Sequence, residues 1–239
     1  MYSYKITTFA NTIHLTMQIF YHGSSVLFPK FDLSHALEGD GKVKFGYGVY
    51  LTSSFKSAAH YSETKSRPAI THYVYTVEIP DFSDDNHIDF KKPVHPEIIK
   101  RAEHELGHSI PEKFTLDGKD FRKYLAKKLG GGSEIQLINR GSELRERQTA
   151  CVEHSDVTNQ SGTRCRKAKF SPQSEKLASE FLNSIGVEFI TWPYNWKNPD
   201  LGLNVAVLDD KKVKITKIHQ VELDQKKQLI PGSEKEVKI

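Results

Sequence analysis

Two short segments concentrate residues able to do chemistry: Phe20-Tyr21-His22-Gly23-Ser24-Ser25, and the run from Phe45 to Tyr61, FGYGVYLTSSFKSAAHY. A His-Gly at a strand end presents an imidazole beside unobstructed backbone, because glycine lets a ligand approach closely. Tyr50 on the next segment and Tyr61 on the one after offer two flat rings, and Ser57 shares a helical face with Tyr61. A planar, amide-bearing heterocycle held between two tyrosines, its amide fixed by backbone N–H and C=O groups, is a physically sensible nicotinamide site. Taken singly, each of these aromatics is better read as core.

A second pattern, His104-Glu105-Leu106-Gly107-His108, is a literal H-E-x-x-H. On a helix it would set two imidazoles on one face for zinc, with Glu105 as general base, as in a zinc metalloprotease. With eleven histidines in the chain, such a match also arises by chance. Gly107 weakens the helix, Pro111 and Phe114 stand where an extended motif needs Gly and His, and Glu134 is a loose third ligand. Cys151-x-x-His154 with Cys165 gives three ligands at irregular spacing and no fourth. The expectation is therefore no metal.

The elements that must position the first set are legible in outline. Met17–Tyr21 reads as a buried strand bounded by His-Gly, and Lys42–Leu51 as a tight turn feeding another. Thr52, Ser53 and Ser54 offer N-caps for a helix running to about Lys65, and Ile70–Ile79 alternates as a strand does. Pro96–Gly107, Asp117–Leu129 and Pro172–Ile185 carry helical patterns, whereas Glu143–Phe170 is polar and reads as an exposed loop. Strands follow at Val187–Trp192, Leu203–Leu208 and Val213–Val221, and Gln225–Ile239 reads as frayed. Strands at both ends with helices between define an α+β class. The expected organisation is an N-terminal tail at 1–16, a domain at 17–222 with a helical and loop insertion at about 95–170, and a C-terminal tail at 223–239.

Composition narrows the classes. A hydrophobic fraction of 37% and a net charge of +4 describe an ordinary globular chain, too weakly basic overall to announce nucleic-acid binding. Two cysteines cannot build a disulfide framework, and no run of residues is apolar enough to serve as a signal or membrane span. A cytoplasmic protein without a membrane partner is expected.

Taken together, His22-Gly23-Ser24, F-G-x-G-V-Y ending at Tyr50, and Tyr61 at ungapped spacing resemble the nicotinamide-binding half of the poly(ADP-ribose) polymerases. These belong with diphtheria toxin to the H-Y-E branch of the ADP-ribosyltransferases. Val205–Ile215, VAVLDDKKVKI, looks like that family's closing strands, and Leu177–Val187 like the helix and strand before them in bacterial toxin and polyvalent-protein members. The resemblance covers residues 17–65 and 172–217. It implies an ADP-ribosyltransferase-like split β-sheet core, with NAD as substrate and no metal. His22 would bond the adenosine ribose, the Gly23 backbone would clamp the carboxamide with Ser24 beside it, and Tyr50 and Tyr61 would stack on nicotinamide. A family serine that touches the carboxamide is matched by Ala58, with Ser57 next door.

One departure stands out: Asn204 occupies the place of the catalytic glutamate. An amide hydrogen-bonds a ribose hydroxyl but has no charge to steady an oxocarbenium ion, a loss of roughly 2–4 kcal/mol in the transition state. Asp209, Glu134, Glu188 and Glu222 are candidate substitutes. The resemblance thus implies an NAD-dependent mono-ADP-ribosyltransferase rather than a chain-forming polymerase, the alternative being an NAD-binding pseudo-transferase. The acceptor would be protein or RNA/DNA, the latter suggested by Arg140, Arg145, Arg147, Arg164, Arg166, Lys167 and Lys169, which Glu143, Glu146 and Glu153 interrupt. A bacterial-looking transferase of this kind implies a toxin: a toxin–antitoxin component with an antitoxin protein as partner, an antiviral defence effector, or a delivered effector.

Overall fold

Alternating β-branched and aromatic residues make β3 (His72–Pro80) the longest strand, with Tyr75, Val77 and Ile79 on one face and Val74 on the other. The computed structural model describes residues 17–36, 43–63, 71–130 and 172–238. Around β3 lie β1 (Met17–Ser24), β2 (Val49–Thr52), β4 (His87–Asp89), β5 (Phe189–Pro193), β6 (Leu203–Val207), β7 (Lys214–Val221) and β8 (Lys235–Glu236). They form one sheet in the order β4-β5-β6-β2-β1-β3-β7-β8, antiparallel at every pairing except β4 with β5.

Four α-helices are described, three of them with a local start signal. Ser54 Oγ accepts from Ser57 N to open α1 (Phe55–Tyr61), and Pro96 occupies the first turn of α2 (Pro96–Leu106). Asp117 caps α3 (Gly118–Leu129) through Asp120 N, and α4 runs Pro172–Ser184. The molecule is α+β, as its pattern of elements indicates.

Two apolar layers flank the sheet. On one face Ile98, Phe121, Leu125 and Leu182, from α2, α3 and α4, pack on Ile190, Trp192 and Ala206. On the other, Phe28, Phe31 and Leu33 of the loop after β1 cover Phe20, Leu51, Tyr75, Phe189 and Val205. The described part of the expected insertion, up to Gly130, is therefore no appendage, because its helices form one side of the main core.

Three differences from the sequence reading have physical reasons. β1 runs on through His22 to Ser24 because β3 pairs with it over its whole length. β4 has only three residues and rests on its parallel partner β5, far away in sequence. The C-terminal residues expected to fray are instead tied down: Leu223 bridges Leu229, Glu222 N donates to Ser233 Oγ at 3.0 Å, and β8 pairs with β7. Residues 1–16, Glu134, the 143–170 stretch with its Arg/Lys run, and Cys151, His154 and Cys165 lie outside the described residues.

Candidate functional site

β1 pairs with β3 at eight consecutive positions but with β2 at a single rung, Tyr21↔Thr52. Beyond that rung His22, Gly23 and Ser24 run beside β2 without joining it, so the sheet splits along a seam. The rung continues through Thr52↔Asn204 and Asn204↔Trp192. Side chains alternate along strands, so Tyr21, Thr52, Asn204 and Trp192 share one face with Tyr50, while His22 points to the opposite face with Phe20.

His22 closes the seam with its own side chain. Nδ1–H donates to the Tyr50 carbonyl at 2.9 Å, which leaves Nε2 as an acceptor in the neutral ring. Burial lowers the pKa of this histidine, and the bond to Tyr50 opposes that only partly. Aromatic edges surround the ring, with Phe31 at 5.1 Å and Phe28 and Tyr75 at 6.2 Å. Tyr75 fixes this wall: its hydroxyl accepts from Phe28 N at 2.8 Å and donates to Val26 O at 3.0 Å. Burial pushes its phenol up to about 12.

The glycine beside it makes room for a helix. A Cβ on Gly23 would lie 1.8 Å from Ala58 O and 2.8 Å from Ser62 N, so the backbone of α1 fills the space a side chain would need. Gly23 is needed for α1 to lie on β1, with Phe55 edge-on to Tyr21 at 5.4 Å. What Gly23 and Ser24 keep free is the backbone edge facing β2.

Tyr50 is built into the helical side of the core. Its hydroxyl donates to Gly46 O at 2.8 Å and accepts from Phe45 N at 3.0 Å, while its ring meets Trp192 edge-on at 5.5 Å. Burial pushes its phenol up to about 12. The turn it closes is locked from outside, since Arg122 Nη2 donates to Lys44 O at 2.9 Å and Tyr47 N to Ser179 Oγ at 2.8 Å. Arg122 is in turn paired with Glu175 inside the protein, where burial lowers its pKa to about 10. These three supports went unnoticed in the sequence. Their signal was present: Arg122 beside Phe121, Tyr124 and Leu125, and Glu175 and Ser179 beside Ala178 and Leu182, are polar residues on helical faces that bury apolar ones.

Tyr61 stands at the end of α1, 60% exposed, and its ring meets His60 rather than Tyr50. Ser57 is buried on the inner side of the same helix with Ala58 and Ala59. Asn204 is 8% exposed, and its side chain makes no hydrogen bond among the described residues. The structure thus sets His22 and Gly23 on β1 and Tyr50 on β2 to either side of one seam, with α1 on β1 and with Asn204 across β2 at the closed rung. Of the candidate carboxylates, Asp209 caps a turn beyond the far end of β6 and Glu188 pairs there with Lys212 at 3.2 Å. Glu222 follows β7, across β1 and β3 from the seam. None of these three lies beside Asn204.

The H-E-x-x-H stretch does not form a two-histidine face. Gly107 takes a left-handed conformation (φ 69°) and ends α2 before His108. His108 then donates from Nδ1 to Leu106 O and accepts at Nε2 from the Tyr124 hydroxyl, both at 3.0 Å. A cavity of about 260 Å³ lined by Leu33, Tyr47, Lys176, Ser179, Glu180 and Leu208 touches none of the seam residues. No helix among the described residues is long and apolar enough to cross a membrane. No protein-family model, curated protein or solved structure matches the chain.

Proposed function

We propose that the chain is a toxin-like, NAD-dependent mono-ADP-ribosyltransferase built on an ADP-ribosyltransferase-like split sheet. One observation carries this reading. A seam held by a single rung carries a neutral histidine with an open acceptor and an unpaired strand edge, and an unbonded amide stands across β2 from its closed rung. Those are the groups a dinucleotide needs: an acceptor for a ribose hydroxyl, backbone for a carboxamide, and a polar group at the second ribose.

In the reaction, the bond from nicotinamide nitrogen to ribose C1′ breaks with its electron pair leaving on nitrogen. The acceptor nucleophile bonds to C1′ and gives up its proton. His22 Nε2 accepts from the adenosine ribose, the Gly23–Ser24 edge holds the carboxamide, and Tyr61 covers the ring. Tyr50 forms the wall, and its carbonyl orients His22. Asn204 bonds the nicotinamide ribose hydroxyl. Transfer of single units to a macromolecule in the cytoplasm, as a toxin restrained by an antitoxin or as an antiviral effector, is the role that fits.

Asn204 favours a second reading, an NAD-binding pseudo-transferase, because none of the three described carboxylates stands near it. Incubating the purified protein and His22→Ala with labelled NAD and cell lysate separates the two. Label in a protein or nucleic-acid fraction, lost in the variant, supports the transferase. NAD binding without nicotinamide release supports the pseudo-enzyme, and no NAD binding refutes both.

A further inference from the structure

The hairpin between β5 and β6 carries its rings outward. Tyr194 N donates to Gly202 O at 2.8 Å to close it, and Asn195 Oδ1 accepts from Lys197 N at 2.9 Å within the turn. Phe45 lies flat on the buried Trp192, with centroids 4.1 Å apart and planes at 5°, and close to parallel with Trp196 at 6.4 Å and 23°. These three rings make a ladder that begins at the Asn204 rung and ends in solvent, where Trp196 is 48% exposed. Tyr194 is 40% exposed two residues before Trp196 in the same hairpin.

The charge around the ladder is as informative as its shape. Lys91 sits over the Trp196 ring at 5.5 Å, Lys197 is in the hairpin, and Lys44 precedes Phe45. None of the three has a carboxylate partner among the described residues, and Asp200 is the hairpin's one acid. An acidic peptide would use the lysines but gain nothing from the exposed ring edge, and an apolar peptide would do the reverse. A chain of aromatic bases joined by phosphates uses both.

We propose that Trp196, with Tyr194, is a stacking platform for a single-stranded nucleic acid whose phosphates meet Lys91, Lys197 and Lys44, and that it delivers the acceptor nucleotide to Asn204. The acceptor role rests on the transferase reading, whereas the binding does not.

The test is fluorescence anisotropy of the full chain with labelled mixed-sequence single-stranded DNA and RNA of about 12 nucleotides, and with the matching duplex, at low and raised salt. Single strands should bind and weaken with salt. Trp196→Ala should lose about tenfold or more in affinity, whereas Trp196→Phe should retain most of it and keep the wild-type melting temperature. NAD affinity should be the same in both variants. Failure of either strand to bind, equal binding of duplex, or full binding by Trp196→Ala overturns the platform. An equal loss of NAD and strand affinity in Trp196→Ala would assign the ring to the NAD site and also overturn it. Strand binding without nicotinamide release from NAD would sustain the platform and defeat the transferase reading. Label carried to protein alone would overturn the acceptor role.

Discussion

Replacing Gly23 by alanine tests the junction on which the whole site depends. The added Cβ would stand 1.8 Å from Ala58 O, about 1.6 Å short of ordinary contact, and also 2.7 Å from Ala58 C. Both atoms are backbone of α1, so no flexible side chain can swing away. The helix must lift, yet Ala58 and Ala59 are fully buried and Phe55 is wedged against Tyr21. Forcing extra volume into such a contact costs about 2–3 kcal/mol, which lowers the melting temperature of a domain this size by roughly 4–12 °C. The same lift carries Tyr61 away from the seam by more than an ångström. A displacement of that size costs a positioned reaction on the order of a hundredfold. Thermal unfolding, followed by nicotinamide release well below the lowered transition, reads the two effects separately. A Gly23→Ala protein as stable and as active as wild type would refute both the packing of α1 and its place in the site. Lost stability with unchanged NAD chemistry would leave the packing intact and remove Tyr61 from the mechanism.

Three further outcomes follow from the same geometry. Arg122→Met should cost about 3–5 kcal/mol in urea unfolding because it strands the Glu175 carboxylate, and adding Glu175→Leu should restore most of it; equal losses would contradict a buried pair. Asn204→Glu should raise nicotinamide release roughly a hundredfold by supplying charge at the ribose, whereas an unchanged rate would remove this position from the transition state. The lowered pKa of His22 means that the unfolded chain binds a proton before the folded one does, so its contribution is complete above pH 6.5 and is lost as pH falls through the folded value. A urea midpoint followed from pH 8 to 5 should drop less in His22→Gln than in wild type; equal slopes would refute the neutral histidine.

How much of this was legible in the residues depended on whether the cause was local. The caps at Ser54 and Asp117, Pro96 in a first helical turn and the alternation of β3 act over a few positions, and helices and strands duly start or run there. Gly107 as a helix terminator belongs to the same class, and it separates His104 from His108. The seam was out of reach, because a missing rung is a relation among β1, β2 and β3 that no window of sequence contains. Gly23 misled for the same reason: glycine signals close approach without saying what approaches, and here it is a helix that begins more than thirty residues later. Tyr50 was read as a ring for a ligand, yet its hydroxyl holds its own turn.

The split matters because of an alternation that a continuous sheet would enforce. His22 points to the face of Phe20 and Tyr75, whereas Tyr50, Asn204 and α1 belong to the other, so an intact sheet would wall the imidazole off from the amide. Beyond Tyr21 no ladder rung joins β1 to β2, and one side-chain bond, His22 to Tyr50 O, spans the gap instead. A single hydrogen bond of this kind contributes on the order of 1 kcal/mol, so a ligand that displaces or bridges it disturbs no ladder. Gly23 keeps α1 close enough to brace the open edge, and Arg122, Glu175 and Ser179 brace the opposite lip through the turn at Lys44–Tyr47. If NAD straddles the sheet as proposed, the two packed flanks hold its partners on each face and the weakly closed seam yields between them at little cost.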